Sequence, residues 1–82
     1  MADVLQVVTT LAEKSEAERL ARRLVEARVA ACVQVIGPIG STSRWNGNIE
    51  STEEWMCIAK TAADAYAALE RAILDAHPYD TP

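Results

Sequence analysis

His77 is the only histidine in the chain. It stands in AHPYDTP, residues 76–82, directly before Pro78 and three residues ahead of Asp80. An imidazole is a common metal ligand, and with the Asp80 carboxylate close by it could hold a borderline-soft cation. At a helix end the same side chain would instead meet the last free carbonyls, with Pro78 stopping the helix, and that role needs no ligand. The other soft donors are two thiols, Cys32 and Cys57. Their spacing fits neither a CxxC knuckle nor a disulfide framework, and a free thiol in an apolar run commonly packs as a small hydrophobe. Glu50, Glu53 and Glu54 form an acidic cluster that would attract divalent cations loosely or simply be solvated.

Catalytic sets are missing. The chain has no Ser/His/Asp constellation, no glycine-rich phosphate loop and no HExxH, so a non-enzymatic role is expected. Thr9-Thr10-Leu11-Ala12 offers no arginine-bearing anion loop of the acylphosphatase kind. Met56-Cys57-Ile58-Ala59-Lys60 lacks the stacking aromatics of an RNA-binding sheet. Eight basic residues against twelve acidic ones give a net charge of −4 with no basic block, which argues against a nucleic-acid partner. The apolar runs are strand-length, so no membrane partner is expected. MADVLQVV does not read as a signal peptide, and two unpaired cysteines suit a reducing cytoplasm.

Eighty-two residues make one domain at most, and a chain this small gains stability from partners. Val4 to Thr10 is β-branched with little alternation, as in a strand covered on both faces. Ser15-Glu16-Ala17-Glu18 reads as a capping box. Behind it, Ala17, Leu20, Ala21, Leu24, Val25 and Arg28 follow helical spacing. Ala30 to Ile36 predicts a second strand, interrupted at Gly37-Pro38 and Gly40 by an edge or bulge and resuming over residues 41–45. Asn46-Gly47 is a strong hairpin signal, Asn48 to Thr61 returns, and residues 62–76 complete a second amphipathic helix. The order is five-sixths of the βαββαβ pattern: an α+β, ferredoxin-like split βαβ sandwich whose final strand, beside the first, is expected to be missing. The chain therefore reads as cut short, with the first strand's edge bare.

The hairpin arms are each ~45 Å long at ~3.3 Å per residue, whereas a compact body of this length is only ~30 Å across. The overhanging ribbon carries Trp45, Ile39 and Ile49, which marks it as a subunit interface. An uninterrupted two-residue turn pairs Arg44 with Ile49 and Ile36 with Cys57. Cys32 then lies ~13 Å from Cys57's partner, too far for a shared disulfide or metal.

VVTT, then EARVAACVQVI, RWNGNIE, the strand ending Ala59-Lys60-Thr61 and finally AHPYDTP occur in an order and spacing that closely resemble the divalent-cation tolerance protein family CutA. The resemblance covers nearly all of the chain. It implies a cytoplasmic homotrimer whose long hairpins pair between subunits and which serves tolerance of copper and other divalent cations. It also implies copper or another divalent cation as the ion handled. Some relatives carry a cysteine where this chain has Thr9 and a second histidine where it has Ala76. Of the positions usually proposed to bind copper, this chain retains His77. The resemblance adds Cys32 as a candidate Cu(I) ligand near a subunit boundary. By fold analogy to PII-like signalling proteins, Lys60, Arg44, Glu50 and Tyr79 would line an intersubunit cleft for a small anion. A plain salt bridge from Lys60 to Glu53 or Glu54 is the other reading of that lysine.

Overall fold

A computed structural model of the chain describes residues 3–76. Its elements follow the predicted order: strand β1 (Val4–Leu11), helix α1 (Lys14–Glu26), strands β2 (Cys32–Trp45) and β3 (Asn48–Ala62), a 3₁₀ turn over Ala63–Ala65, and helix α2 (Tyr66–Ala76). The sheet order is β1-β3-β2, with β3 antiparallel to both neighbours. The central strand is thus the third in sequence, and β1 and β2 run parallel around it. This is the split βαβ arrangement.

Side-chain alternation sorts the sheet into two faces. Leu11, Cys57 and Ala59 are buried on the face that carries the helices, against Ala17, Leu20 and Leu24 of α1 and Leu69 and Ile73 of α2. Among the described residues no helix lies over the opposite face. Val4, Val8 and Ile36 are exposed there, beside half-buried Met56 and Ile58. The expectation that β1 is covered on both faces is therefore not met among the described residues. Its β-branched residues give an apolar open face that no second layer covers among the described residues.

Both ends of α1 differ from the expected chemistry. The helix begins at Lys14 with Glu13 at the cap, and no side chain caps it. A capping box on Ser15 is excluded because Ser15 already lies inside the first turn. At the other end Arg28 adopts φ 61°. The Arg28 amide donates to the Val25 carbonyl at 3.0 Å and the Val29 amide to that of Leu24 at 3.2 Å. These are the paired bonds of a Schellman terminator, with arginine where glycine is usual.

The hairpin turn is as predicted: Asn46 at φ 51° and Gly47 at φ 80° give the type I′ geometry. Trp45 pairs with Asn48 and Arg44 with Ile49. The ladder then slips between Ile36 and Ile39, where Gly37 and Pro38, joined by a cis peptide, face Trp55 alone. Ile36 consequently pairs with Met56, not Cys57, whose partner is Val35. The bulge arises where Trp55 lies over Gly37: a β-carbon there would sit 2.4 Å from Trp55 Cε3. Lys14 Nζ lies 5.6 Å from the centre of the Trp55 ring, which ties the start of α1 to the same spot.

Candidate functional site

The long ribbon dominates the molecule's shape. The extents are 45 × 23 × 22 Å, and from Thr42 to Glu53 every residue is exposed. Trp45 is 64% and Ile49 67% exposed, while Ile39 is half-buried near the bulge. Register places Trp45 and Ile39 on the ribbon face that continues the helix-free side of the sheet. Ile49 lies on the other face, in line with Trp55. Each face of the arm thus carries an apolar residue that its own chain leaves uncovered.

The two thiols lie in opposite settings. Cys57 is buried on the helix side, where its Sγ donates to the Ala17 carbonyl at 3.4 Å, and burial raises its pKa. A protonated thiol locked in this way is a packing group, not a ligand. Cys32 is exposed on the helix-free face, paired across the ladder with Lys60. The inference that the two do not share a site holds for a stronger reason than distance: they occupy opposite faces. His77 and Asp80, the other metal candidates, and Tyr79 lie outside the described residues. Among the described residues no group of three or more His, Cys, Asp or Glu side chains could hold a metal ion. The donors of one chain's described part therefore do not fit a divalent cation by themselves.

The cleft candidates are likewise dispersed along β3. Lys60 pairs with Gln6 and Cys32 at the body end of the sheet, whereas Glu50 faces Ser43 and Arg44 faces Ile49 near the tip. Ten residues of strand separate Lys60 from Glu50, about 33 Å. The alternative salt bridge from Lys60 to Glu53 or Glu54 is not formed. All three belong to one extended strand, on which Lys60 lies about 20 Å or more from either glutamate. Glu50, Glu53 and Glu54 spread along the outer half of the hairpin. Lys60-Thr61 meets the segment that follows α1: Thr61 Oγ1 donates to the Val29 carbonyl at 2.8 Å, and the Ala31 amide to that of Lys60 at 2.9 Å.

Two polar features escape a linear reading. Thr9 is buried, and its Oγ1 has no hydrogen-bond partner among the described residues. The Tyr66 hydroxyl donates to Glu70 Oε2 at 2.8 Å, which raises the tyrosine pKa. The i, i+4 spacing of Tyr66 and Glu70 is the sequence signal for the second; nothing local announces the first. A depression of about 580 Å³ beside α1 mixes Arg19, Arg22 and Arg23 with Glu16 and Glu26, and Arg22 pairs with Glu26 at 3.5 Å. Its charges, three cationic against two anionic, are of mixed sign and mostly solvated, so it defines no ligand.

A three-stranded antiparallel sheet with two helices on one face and a long ribbon at one end defines a small α+β protein of the ferredoxin-like class. The family model described as CutA1 divalent ion tolerance protein matches residues 5–82, and the chain belongs to that family. The divalent-cation tolerance protein CutA of Archaeoglobus fulgidus is 38% identical over 76 residues, covering 93% of this chain and 74% of that protein. A solved structure of the Archaeoglobus protein, there described as periplasmic, superposes with a TM-score of 0.90 at 36% identity, over 98% of this chain and 78% of that one. CutA from Xylella fastidiosa gives a TM-score of 0.93 at 37% identity, with 99% and 78% covered. A CutA from Nostoc described as PII-like gives 0.85 at 32% identity, with 94% and 72% covered.

Proposed function

We propose that residues 1–82 form one CutA-like domain that works as a non-enzymatic homotrimer in the cytoplasm and contributes to tolerance of copper and other divalent cations. Family membership supports the cation role. The trimer reading rests on one observation, the arm with exposed Trp45 and Ile49 on its two faces. One neighbour could cover only one face, whereas a ring of three ribbons covers both. Direct ion binding, where it occurs, belongs at contacts between copies: His77 and Asp80 would supply donors, with Cys32 as the soft ligand for Cu(I). Titration calorimetry with Cu(I), Cu(II) and Zn(II) is expected to show binding that weakens at least tenfold in His77→Ala. Identical isotherms for the two proteins would remove His77 from the site.

The likeness to the PII-like Nostoc protein favours a second reading, in which clefts between subunits bind a small anion through Lys60, Arg44, Glu50 and Tyr79. Because Lys60 and Glu50 stand far apart in one chain, such a cleft would combine the body of one copy with the arm of another. Thermal shifts across a panel of nucleotides and carboxylates separate the readings. A response to metals alone rejects the cleft.

A further inference from the structure

On the sheet face that no described helix covers, Gln6, Lys60 and Cys32 form one row across the three strands. Three observations make the last two a reactive pair. First, Cys32 is an exposed free thiol directly opposite Lys60 on the ladder, where facing β-carbons stand about 5 Å apart. The strands are tied together at that point, because the Ala31 amide donates to the Lys60 carbonyl at 2.9 Å. Second, no carboxylate engages the Lys60 amine. It makes no ion pair among the described residues, and the flanking rows, Val8-Ile58-Gln34 and Val4-Ala62, carry no charge. Third, no other lysine and thiol are placed in this way. The chain has two lysines and two cysteines. Cys57 is buried on the opposite face, and Lys14 lies over the Trp55 ring.

We propose that Cys32 and Lys60 form an acyl-transfer site: Cys32 accepts a short acyl group of the acetyl class from a soluble thioester and passes it to the Lys60 amine. In the first step the Cys32 thiolate attacks the acyl carbonyl. A bond to its sulfur forms, the donor's carbon–sulfur bond breaks, and the donor thiol departs with the proton that Cys32 gave up. In the second step the neutral Lys60 amine attacks the same carbonyl. A carbon–nitrogen bond forms, the bond to Cys32 breaks, and a proton passes from the nitrogen to the leaving sulfur. Nothing is oxidised or reduced. A thiol is the more effective nucleophile towards the soluble donor, and the facing amine then meets the acyl group without a second encounter. The product amide leaves Lys60 neutral and its row without charge. The transfer needs neither a metal nor a second copy, so it stands apart from the function proposed above.

The test incubates the 82-residue chain with millimolar acetyl-coenzyme A and follows acetylation of each lysine by peptide mass spectrometry. A parallel reaction with the N-hydroxysuccinimide ester of acetic acid, which acylates amines without help from a thiol, measures how accessible each lysine is. With the thioester, and after correction for that accessibility, Lys60 is expected to react at least tenfold faster than Lys14. Cys32→Ser should bring Lys60 down to the Lys14 rate with the thioester and leave its rate with the ester unchanged. Lys60→Arg should accumulate an acetyl group on Cys32 that hydroxylamine removes. Equal thioester rates at Lys60 with and without the thiol would overturn the proposal, as would equal corrected rates at the two lysines. So would the absence of a hydroxylamine-sensitive adduct in Lys60→Arg, since the first step would then not occur.

Discussion

Trp55 sits so close to the Gly37 backbone that the position has room for hydrogen only. Gly37→Ala forces either the indole or the bulge to move, and such overpacking costs about 1–3 kcal/mol. Urea unfolding followed by tryptophan fluorescence should register the loss, together with a changed native spectrum. The thiols give a second check at this scale. Cys32 should react at once with a disulfide reagent, and Cys57 only after denaturation, so one thiol per chain titrates natively and two when unfolded. Burial raises the Cys57 pKa above its unfolded value. Its contribution to stability is therefore full below about pH 8.5, the ordinary thiol value, and is lost as pH rises through the higher folded value. Cys57→Ala should remove that part of the alkaline decline in denaturant midpoint. The packing role of Cys57 could be read from its apolar neighbours. The exposure of Cys32 could not, because alternation across an unseen bulge decides its face.

At the scale of elements, each strand and helix among the described residues was legible from periodicity and turn chemistry, and the Asn46-Gly47 turn was legible in its details. What was not legible is informative. Gly37-Pro38 announced an irregularity but not its consequence, a one-residue slip that moves Cys57 from Ile36 to Val35. Ser15-x-x-Glu18 has the right letters for a capping box, yet the helix starts one residue ahead of it, since Glu13 already occupies the extended cap conformation. Arg28 fits the helical spacing of α1 yet ends the helix in the left-handed region, because the Leu24 and Val25 carbonyls find their partners only in that geometry. An L-residue there carries about 1–2 kcal/mol of strain, which glycine relieves in part. Arg28→Gly is accordingly expected to raise stability by about 0.5–1 kcal/mol, read as a higher urea midpoint with an unchanged slope. A lower midpoint would mean that the arginine side chain supplies an interaction outweighing the strain.

The whole molecule is an elongated body that ends in an unsupported ribbon. Its Cα radius of gyration is 13.5 Å, above the ~12 Å expected of a compact chain of this length. The candidate sites share that geometry: Cys32 and Lys60 lie together on a helix-free face, Arg44 and Glu50 near the ribbon tip, and the two pairs do not converge within one chain. The sequence revealed the arm through its strand lengths, whereas the distribution of site residues became visible only with the register. If copies do assemble through the arms, residues dispersed in one chain become neighbours in the assembly. Sedimentation equilibrium at micromolar concentration tests this most directly. The account predicts a species of three times the chain mass that Trp45→Lys together with Ile49→Lys reduces to single, less stable chains. A well-folded monomer in the unmodified protein would contradict it.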